Sequence, residues 1–360
     1  MRIGIIGTRG IPNYYGGFEQ FAQYLSEYLA RKNHEVFVYN SHNHPYQESE
    51  WNGVKIIHCK DPEHIIGPAG QFIYDLNCIL DSRKRNFDII LQLGYASSAL
   101  WSPLIPNETI VITNMDGLEW KRSKFSKITK FYILFAERMT VKSSQFLISD
   151  SKGIQSYLQD KYSVESKYIP YGSDLVTFTD DTILSDLNLD KGSYNMLIAR
   201  MEPENNIEII LKGFVNSETT RKFLVIGNTE NKYGAYIKNK FTDDRIVYLG
   251  YVFGIEKLNA LRKNSYLYFH GHTVGGTNPS LLEAMSSYAV ICAHNNDFNK
   301  AILKNDAFYF NCSKCITALL NKESIEESKS FIENNIEKIN TKYNWKKILD
   351  EYESFILSKL

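Results

Sequence analysis

The sequence has no long apolar run. No stretch approaches the ~20 residues needed to cross a bilayer, so a spanning helix is not expected. It also lacks net charge, with 41 Lys and Arg against 41 Asp and Glu. A dedicated nucleic-acid binder carries a strong basic excess, so no nucleic-acid partner is expected. There is no G-x-x-x-x-G-K-[ST] loop, which excludes P-loop chemistry, and no G-x-G-x-x-G after the first strand, which excludes the usual dinucleotide fingerprint. No D-x-D carboxylate pair is present, so no metal is expected at a nucleotide-sugar site of that kind. Of the five cysteines only Cys312 and Cys315 form a C-x-x-C, and a zinc centre needs two more ligands. The odd cysteine count, and an N-terminus (Met1–Gly7) that enters a strand pattern directly, point to a reducing, cytoplasmic setting with no signal peptide.

What is present is ample apolar material, 43% of 360 residues, enough for two domains of ordinary size. Strand patterns at Ile3–Gly7, His34–Tyr39, Val54–His58, Asp88–Leu93, Thr109–Asn114 and Phe146–Ser149 have helical stretches between some of them. Tyr168–Asp174 and the polar run after it break the pattern, which then restarts at Asn195–Ala199. Alternation of this kind predicts an α/β fold with two doubly wound, mostly parallel sheets. The expected domains are 1–172 and 173–342. A closing amphipathic helix lies within 343–360.

The chain is organised around His270-Gly271-His272-Thr273-Val274-Gly275-Gly276-Thr277-Asn278-Pro279-Ser280-Leu281-Leu282-Glu283. An apolar strand, Tyr266–Phe269, ends in a loop with a glycine pair, and Pro279 marks a helix start. Free N–H groups at such a start bind anions, and Glu283, about one turn further in, suits a hydroxyl-rich group. Phosphate and hydroxyls together describe a nucleotide or nucleotide sugar.

Three other segments follow strands. Gly7–Glu19 carries Arg9 and the pair Gly16-Gly17, which suits a phosphate or sugar lying against backbone. Arg200 ends the strand Asn195–Ala199, where ligands bind in open sheets. It reads as a diphosphate partner or as a surface arginine paired with Glu202 or Glu204. Asp116 and Glu119 read as sugar ligands or as a turn and a helix start. A basic and aromatic run, Trp120–Phe135, suits an anionic membrane surface or a solvated helix face.

Together these segments resemble the GT-B glycosyltransferases, family 4 in particular. The resemblance rests on Gly16-Gly17-Phe18-Glu19, Ile169-Pro170-Tyr171-Gly172-Ser173-Asp174, Ala199-Arg200 and Leu282-Glu283-Ala284-Met285. Gly7–Pro12 with Tyr15–Glu19, Met115–Trp120 and Val274–Pro279 look like its bacterial polysaccharide rhamnosyltransferase branch. Two positions depart from the wider family, with Gly275 where it has glutamate and Asn205 where it has lysine.

The resemblance implies a retaining transferase with Asp116, Arg200 and Glu283 at its catalytic centre and a helix returning to the first domain. The donor would meet Gly16, Gly17, Arg200, Tyr251, Val252, Gly275, Gly276, Thr277, Asn278 and Glu283. Arg9, Glu119, His270 and His272 are candidates for acceptor or phosphate contacts. The implied co-substrate is a nucleoside diphosphate sugar, dTDP-L-rhamnose first, with no cofactor. The implied acceptor is a lipid-linked saccharide at the inner membrane face, reached by peripheral contact. A nucleotide-sugar epimerase or hydrolase of the same fold, or a non-catalytic nucleotide-sugar-binding protein, are the alternative readings.

Overall fold

The computed structural model describes all residues except 116, 123, 124, 323, 324, 326 and 327. The chain divides into two compact units. Unit 1 comprises Met1–Trp120, Phe125–Tyr171 and Trp345–Leu360, and unit 2 comprises Gly172–Asn344 with the short stretch after Trp120.

Unit 1 is built on an eight-stranded sheet. Its strands are β1 (Arg2–Ile6), β2 (Glu35–Ser41), β3 (Glu50–Trp51), β4 (Val54–Cys59), β5 (Ile89–Leu93), β6 (Ile110–Asn114), β7 (Phe146–Ser149) and β8 (Lys167–Tyr168), in the order β3-β4-β2-β1-β5-β6-β7-β8. Every pairing is parallel except the short β3–β4 hairpin. Its central strands are buried and mostly apolar (Ile89 to Leu93 are all buried), as in a parallel sheet covered by helices on both faces.

The described residues of unit 2 form a six-stranded sheet, all parallel. Its strands are β9 (Tyr194–Ile198), β10 (Lys222–Ile226), β11 (Ile246–Gly250), β12 (Leu267–His270), β13 (Ile291–His294) and β14 (Phe308–Phe310), in the order β11-β10-β9-β12-β13-β14. Its core gathers Leu197, Phe214, Phe223, Phe269 and Phe310 between sheet and helices.

In each sheet the strand order reverses once beside the first strand of the unit. In unit 1 that point lies between β1 and β5, and in unit 2 between β9 and β12. Ligands of open α/β sheets bind at the carboxyl ends of the strands flanking such a reversal. The loops leaving β1, β9 and β12 are the segments that stood out in the sequence.

The helix Trp345–Leu357 belongs to unit 1. It lies on the helix Gly17–Arg31, where the Tyr28 hydroxyl shares its one proton between carboxylate oxygens of Asp350 at 2.6 Å and Glu353 at 2.9 Å. Tyr352 packs against Phe21 with ring centres 4.8 Å apart, and its hydroxyl accepts from Asn114 Nδ2 at 3.0 Å. The returning helix is thus tied both to the first helix and to the end of β6.

Candidate functional site

In unit 2 the loops leaving β9 and β12 are laced together by backbone-directed hydrogen bonds. Asn206 Nδ2 donates to the Gly271 carbonyl at 2.7 Å, and Thr273 donates its N–H and its hydroxyl to the Glu204 carbonyl, at 3.1 and 2.9 Å. Asn205 is buried, and its Nδ2 donates to the Arg200 carbonyl at 2.6 Å. The side chain at 205 therefore shapes the Arg200 turn. From the β13 side, Asn296 Nδ2 donates to the His272 carbonyl at 2.8 Å. Arg200 itself is exposed at the carboxyl end of β9.

The helix after this loop is Pro279–Ser286. Asn278 caps it, accepting from Ser280 N at 3.0 Å, and Pro279 occupies the first helical position, where a missing N–H costs nothing. Gly276 and Thr277, immediately before the cap, are buried. Gly275 has φ of +147° and open space around a would-be Cβ. A side chain would fit there, but the backbone conformation excludes L residues. Glycine is the residue that this loop conformation favours.

Glu283 sits in the first turns of this helix with its side chain 24% exposed. Its Oε2 accepts from Arg262 Nη2 at 2.5 Å. Arg262 is itself buried, 1% exposed, and donates a second bond from Nη1 to Asn259 Oδ1 at 2.9 Å. Sequence reasoning missed Arg262. An arginine in the last turn of a helix, here Ile255–Asn264, reads as a partner for the helix dipole, and nothing local announces a contact 21 positions away.

His270 closes β12. It is 1% exposed and neither ring nitrogen has a hydrogen-bond partner. His272 stacks on it with ring centres 4.5 Å apart, and its Nδ1 is likewise unpartnered. Burial, reinforced by His272, holds His270 well below the usual imidazole range. Loss of water, then Arg200 and Arg122, push His272 down to about 3. Both rings are neutral at physiological pH, so each offers one donor and one acceptor. Buried polar atoms left without a protein partner mark a place where a ligand or water completes the bonding.

Tyr251 and Phe253, in the loop after β11, expose 66% and 82% of their surface, with ring centres 6.1 Å apart. Val252 lies between them, partly covered. Tyr251 and Val252 came from the sequence; Phe253 is added by its exposure.

In unit 1 the loop after β1 is held from within. Asn13 Oδ1 accepts from Tyr15 N and Gly16 N at 3.0 and 3.1 Å, and Glu19 Oε1 accepts from Arg9 N at 3.0 Å. Gly16 precedes the first helix and Gly17 opens it. The Arg9 guanidinium forms a bidentate pair with Glu63 (2.9 Å from Nη2 to Oε1, 3.2 Å from Nε to Oε2). Its charge is thus already engaged within unit 1.

Asp116 lies outside the described residues. The segment around it is anchored at Met115 and Leu118, both buried, and Glu119 opens a short 3-10 turn, Glu119–Lys121. Trp120 Nε1 donates to the Tyr157 hydroxyl at 3.1 Å, which donates in turn to the buried Glu137 at 2.7 Å. Tyr162, Lys161 and Tyr95 also donate to Glu137. This buried carboxylate is the anchor of the loop after β6.

The basic and aromatic run does not form one helix from its start. The helix is Lys127–Ser143, and Ser126 caps it by accepting from Thr129 N at 3.2 Å. Ile128, Phe131 and Phe135 are exposed at spacings of three and four, so they share a face, with Lys127 beside them. No described helix is long and apolar enough to cross a membrane. Among the described residues no three His, Cys, Asp or Glu side chains come together as metal ligands.

Residues 1–174 match a family described as a domain of unknown function, DUF1972. None of the curated proteins matches the sequence. Among solved structures, sucrose-phosphate synthase from Thermosynechococcus elongatus is similar over 99% of this chain and 98% of its own, with a TM-score of 0.82 at 15% identity. Anabaena HepE, solved with UDP and glucose, is similar over 100% and 99%, with a TM-score of 0.77 at 13% identity. A glycosyltransferase from Rickettsia africae gives a TM-score of 0.72 at 13% identity over 98% and 97%. TM-scores of this size over nearly the whole of both chains establish the fold. It is the GT-B fold, with two doubly wound α/β units and a helix returning to the first.

Proposed function

We propose that the protein is a retaining glycosyltransferase that moves a sugar, L-rhamnose from dTDP-rhamnose in the first instance, onto a lipid-linked saccharide in cell-surface polysaccharide synthesis. The observation that carries this reading is the convergence, at the strand reversal of unit 2, of Arg200, the capped helix start at Gly276–Pro279, the unpartnered ring nitrogens of His270 and Nδ1 of His272, and the Glu283 carboxylate. Arg200 and the N–H groups of Gly276 and Thr277 take the diphosphate. Glu283 takes a pentose hydroxyl, and Tyr251, with Val252 and the neighbouring Phe253, takes the base. The neutral histidines suit hydroxyls of the transferred sugar, since they donate and accept without adding charge.

In the reaction the bond from the anomeric carbon to the donor phosphate breaks and the bond to the acceptor oxygen forms on the same face. The acceptor proton passes to the departing phosphate oxygen. Arg200 and the helix start stabilise the negative charge that grows on the diphosphate. No metal or cofactor is assigned a step. On unit 1 we assign Gly16 and Gly17 to the donor, and Asp116 and Glu119 to orienting the acceptor. Arg9, engaged by Glu63, fixes its loop. HepE, similar in fold, supports the nucleotide-sugar assignment through the UDP and glucose with which it was solved.

The acceptor reading rests on the exposed face Ile128–Phe131–Phe135 beside Lys127, which suits peripheral contact with an anionic membrane surface on the cytoplasmic side. The test is incubation with dTDP-rhamnose, UDP-glucose and a GDP-sugar, each with and without a lipid-linked acceptor. Acceptor-dependent transfer, lost in Arg200→Ala and Glu283→Ala, is expected. Turnover without acceptor would instead identify an epimerase or hydrolase, and binding without turnover a nucleotide-sugar-binding protein.

A further inference from the structure

Two cysteines stand apart from the rest. Cys59, Cys78 and Cys292 are buried, whereas Cys312 and Cys315 are exposed with their sulfurs 3.0 Å apart. The backbone explains the approach. Cys312 is the extended residue before the helix Ser313–Leu320, and Cys315 is the third residue inside it. The first turn of a helix brings the side chains of these two positions together, as it does in a capping box. The turn is anchored on its other side. Ile316 is buried against Gly213, and the Thr317 hydroxyl donates to the Gly213 carbonyl at 2.8 Å. Both sulfurs thus face solvent on a fixed helix start.

Neither packing nor a metal accounts for this pair. Exposed thiols add nothing to a core, and a zinc centre would need two further ligands. Among the described residues no three His, Cys, Asp or Glu side chains come together to supply them. Thiol redox chemistry does fit. A covalent S–S bond is about 2.05 Å long, so closure asks the sulfurs to move by about 1 Å. The hydrogen bond from Cys312, then backbone groups at the helix start, favour the Cys315 thiolate, which is the attacking form. We propose that Cys312 and Cys315 are a dithiol–disulfide couple, a redox site on unit 2 that takes small-molecule disulfides of the glutathione class as oxidant. The Cys315 thiolate attacks one sulfur of the disulfide RSSR, a Cys315–S–S–R bond forms, and the first RS⁻ leaves. Cys312 then loses its proton and attacks the Cys315 sulfur, closing the protein disulfide as the second RS⁻ leaves. Two electrons pass from the protein to the reagent, and the two protons lost by the cysteines are available to the two released thiolates. No residue assigned to the donor belongs to this site, so the inference goes beyond the transferase reading and is independent of it.

The test incubates the full chain in buffers of rising oxidised to reduced glutathione ratio, followed by acid quenching, alkylation and intact-mass measurement. The wild-type protein is expected to lose two alkylatable thiols and the mass of two hydrogens in one step, to retain no glutathione, and to recover both thiols with dithiothreitol. The three buried thiols should still alkylate after denaturation. Cys312→Ser removes the resolving thiol and should trap one glutathione on Cys315. Cys315→Ser should react with oxidised glutathione at least about tenfold more slowly than Cys312→Ser. Phenylarsine oxide, which bridges adjacent thiols, gives a readout without substitution, and it should protect both cysteines of the wild-type protein from alkylation. A wild-type chain that stays reduced in excess oxidised glutathione, keeps glutathione as its stable end product, or cross-links to a second copy overturns the inference. Alkylation of both cysteines in the presence of the arsenical does the same. Each of these results leaves the nucleotide-sugar assignment untouched.

Discussion

Gly271 passes so close to Asn205 that a Cβ at position 271 would lie 1.9 Å from the Asn205 carbonyl oxygen. Backbone of the β9 loop meets backbone of the β12 loop at this point, and the hydrogen bond from the Asn206 side chain to the Gly271 carbonyl fixes the approach. Gly271→Ala must therefore push the loops apart. The variant should lose about 3 kcal/mol of stability, measured by urea unfolding, and nucleotide binding should weaken with it. Wild-type stability in this variant would show that the loops move freely relative to each other.

His270 is buried with both nitrogens unpartnered, so the folded protein gains nothing from its polarity. His270→Phe keeps a flat ring between Tyr268 and His272. Its unfolding free energy should stay within about 1 kcal/mol of wild type or rise. Transfer should fall at least about tenfold if the imidazole serves the bound sugar. Loss of stability with intact transfer would reverse that assignment.

Burial pushes the Asp75 carboxyl up to about 7, against the opposing pull of the Ser97 hydroxyl 2.5 Å away. The folded chain thus keeps a proton that the unfolded chain releases near the ordinary value of 3.8. Between those values the folded state binds more protons, so this group lowers stability as pH rises from about 4 to 7. Asp75→Asn should flatten that part of the stability profile, measured as denaturation midpoints across the pH range. An unchanged profile would mean that Asp75 is ionised in the folded state.

Cys312 and Cys315 are exposed with their sulfurs 3.0 Å apart, whereas Cys59, Cys78 and Cys292 are buried. A hydrogen bond from Cys312, helped by backbone groups at the start of the helix Ser313–Leu320, lowers the Cys315 thiol below its ordinary value. A thiol-reactive chromophore should titrate two cysteines rapidly in the native protein and five after denaturation. Double substitution of Cys312 and Cys315 by serine should abolish the rapid phase, and its persistence would place the reactive thiols elsewhere.

The fold was legible because its signals are local. Alternating apolar strands and helices specify parallel layers, and Pro279 with the glycines before it specifies a strand–loop–helix unit. The strand itself is one residue displaced from the expected Tyr266–Phe269, because His270 pairs with Ala293 as the last rung of β12. Pairings between distant positions carry no period and could not be read. Arg262 and Glu63 look like ordinary surface charges in sequence, so their pairings with Glu283 and Arg9 were silent. The inward turn of Asn205 is equally silent, because an asparagine after a strand reads as a loop residue. The onset of the helix at Lys127 was hidden by a charge pattern that starts earlier, although Ser126 is a cap that local chemistry permits.

The return of Trp345–Leu357 to unit 1 has a consequence for synthesis. Unit 2 runs almost without interruption from Gly172 to Asn344, so it can fold as it leaves the ribosome. Unit 1 cannot complete itself in that order. The Tyr28 hydroxyl, the Phe21 ring and the Asn114 amide all await partners made after unit 2. Translation thus delivers the helix that completes unit 1 only after the whole sequence of unit 2 has been made.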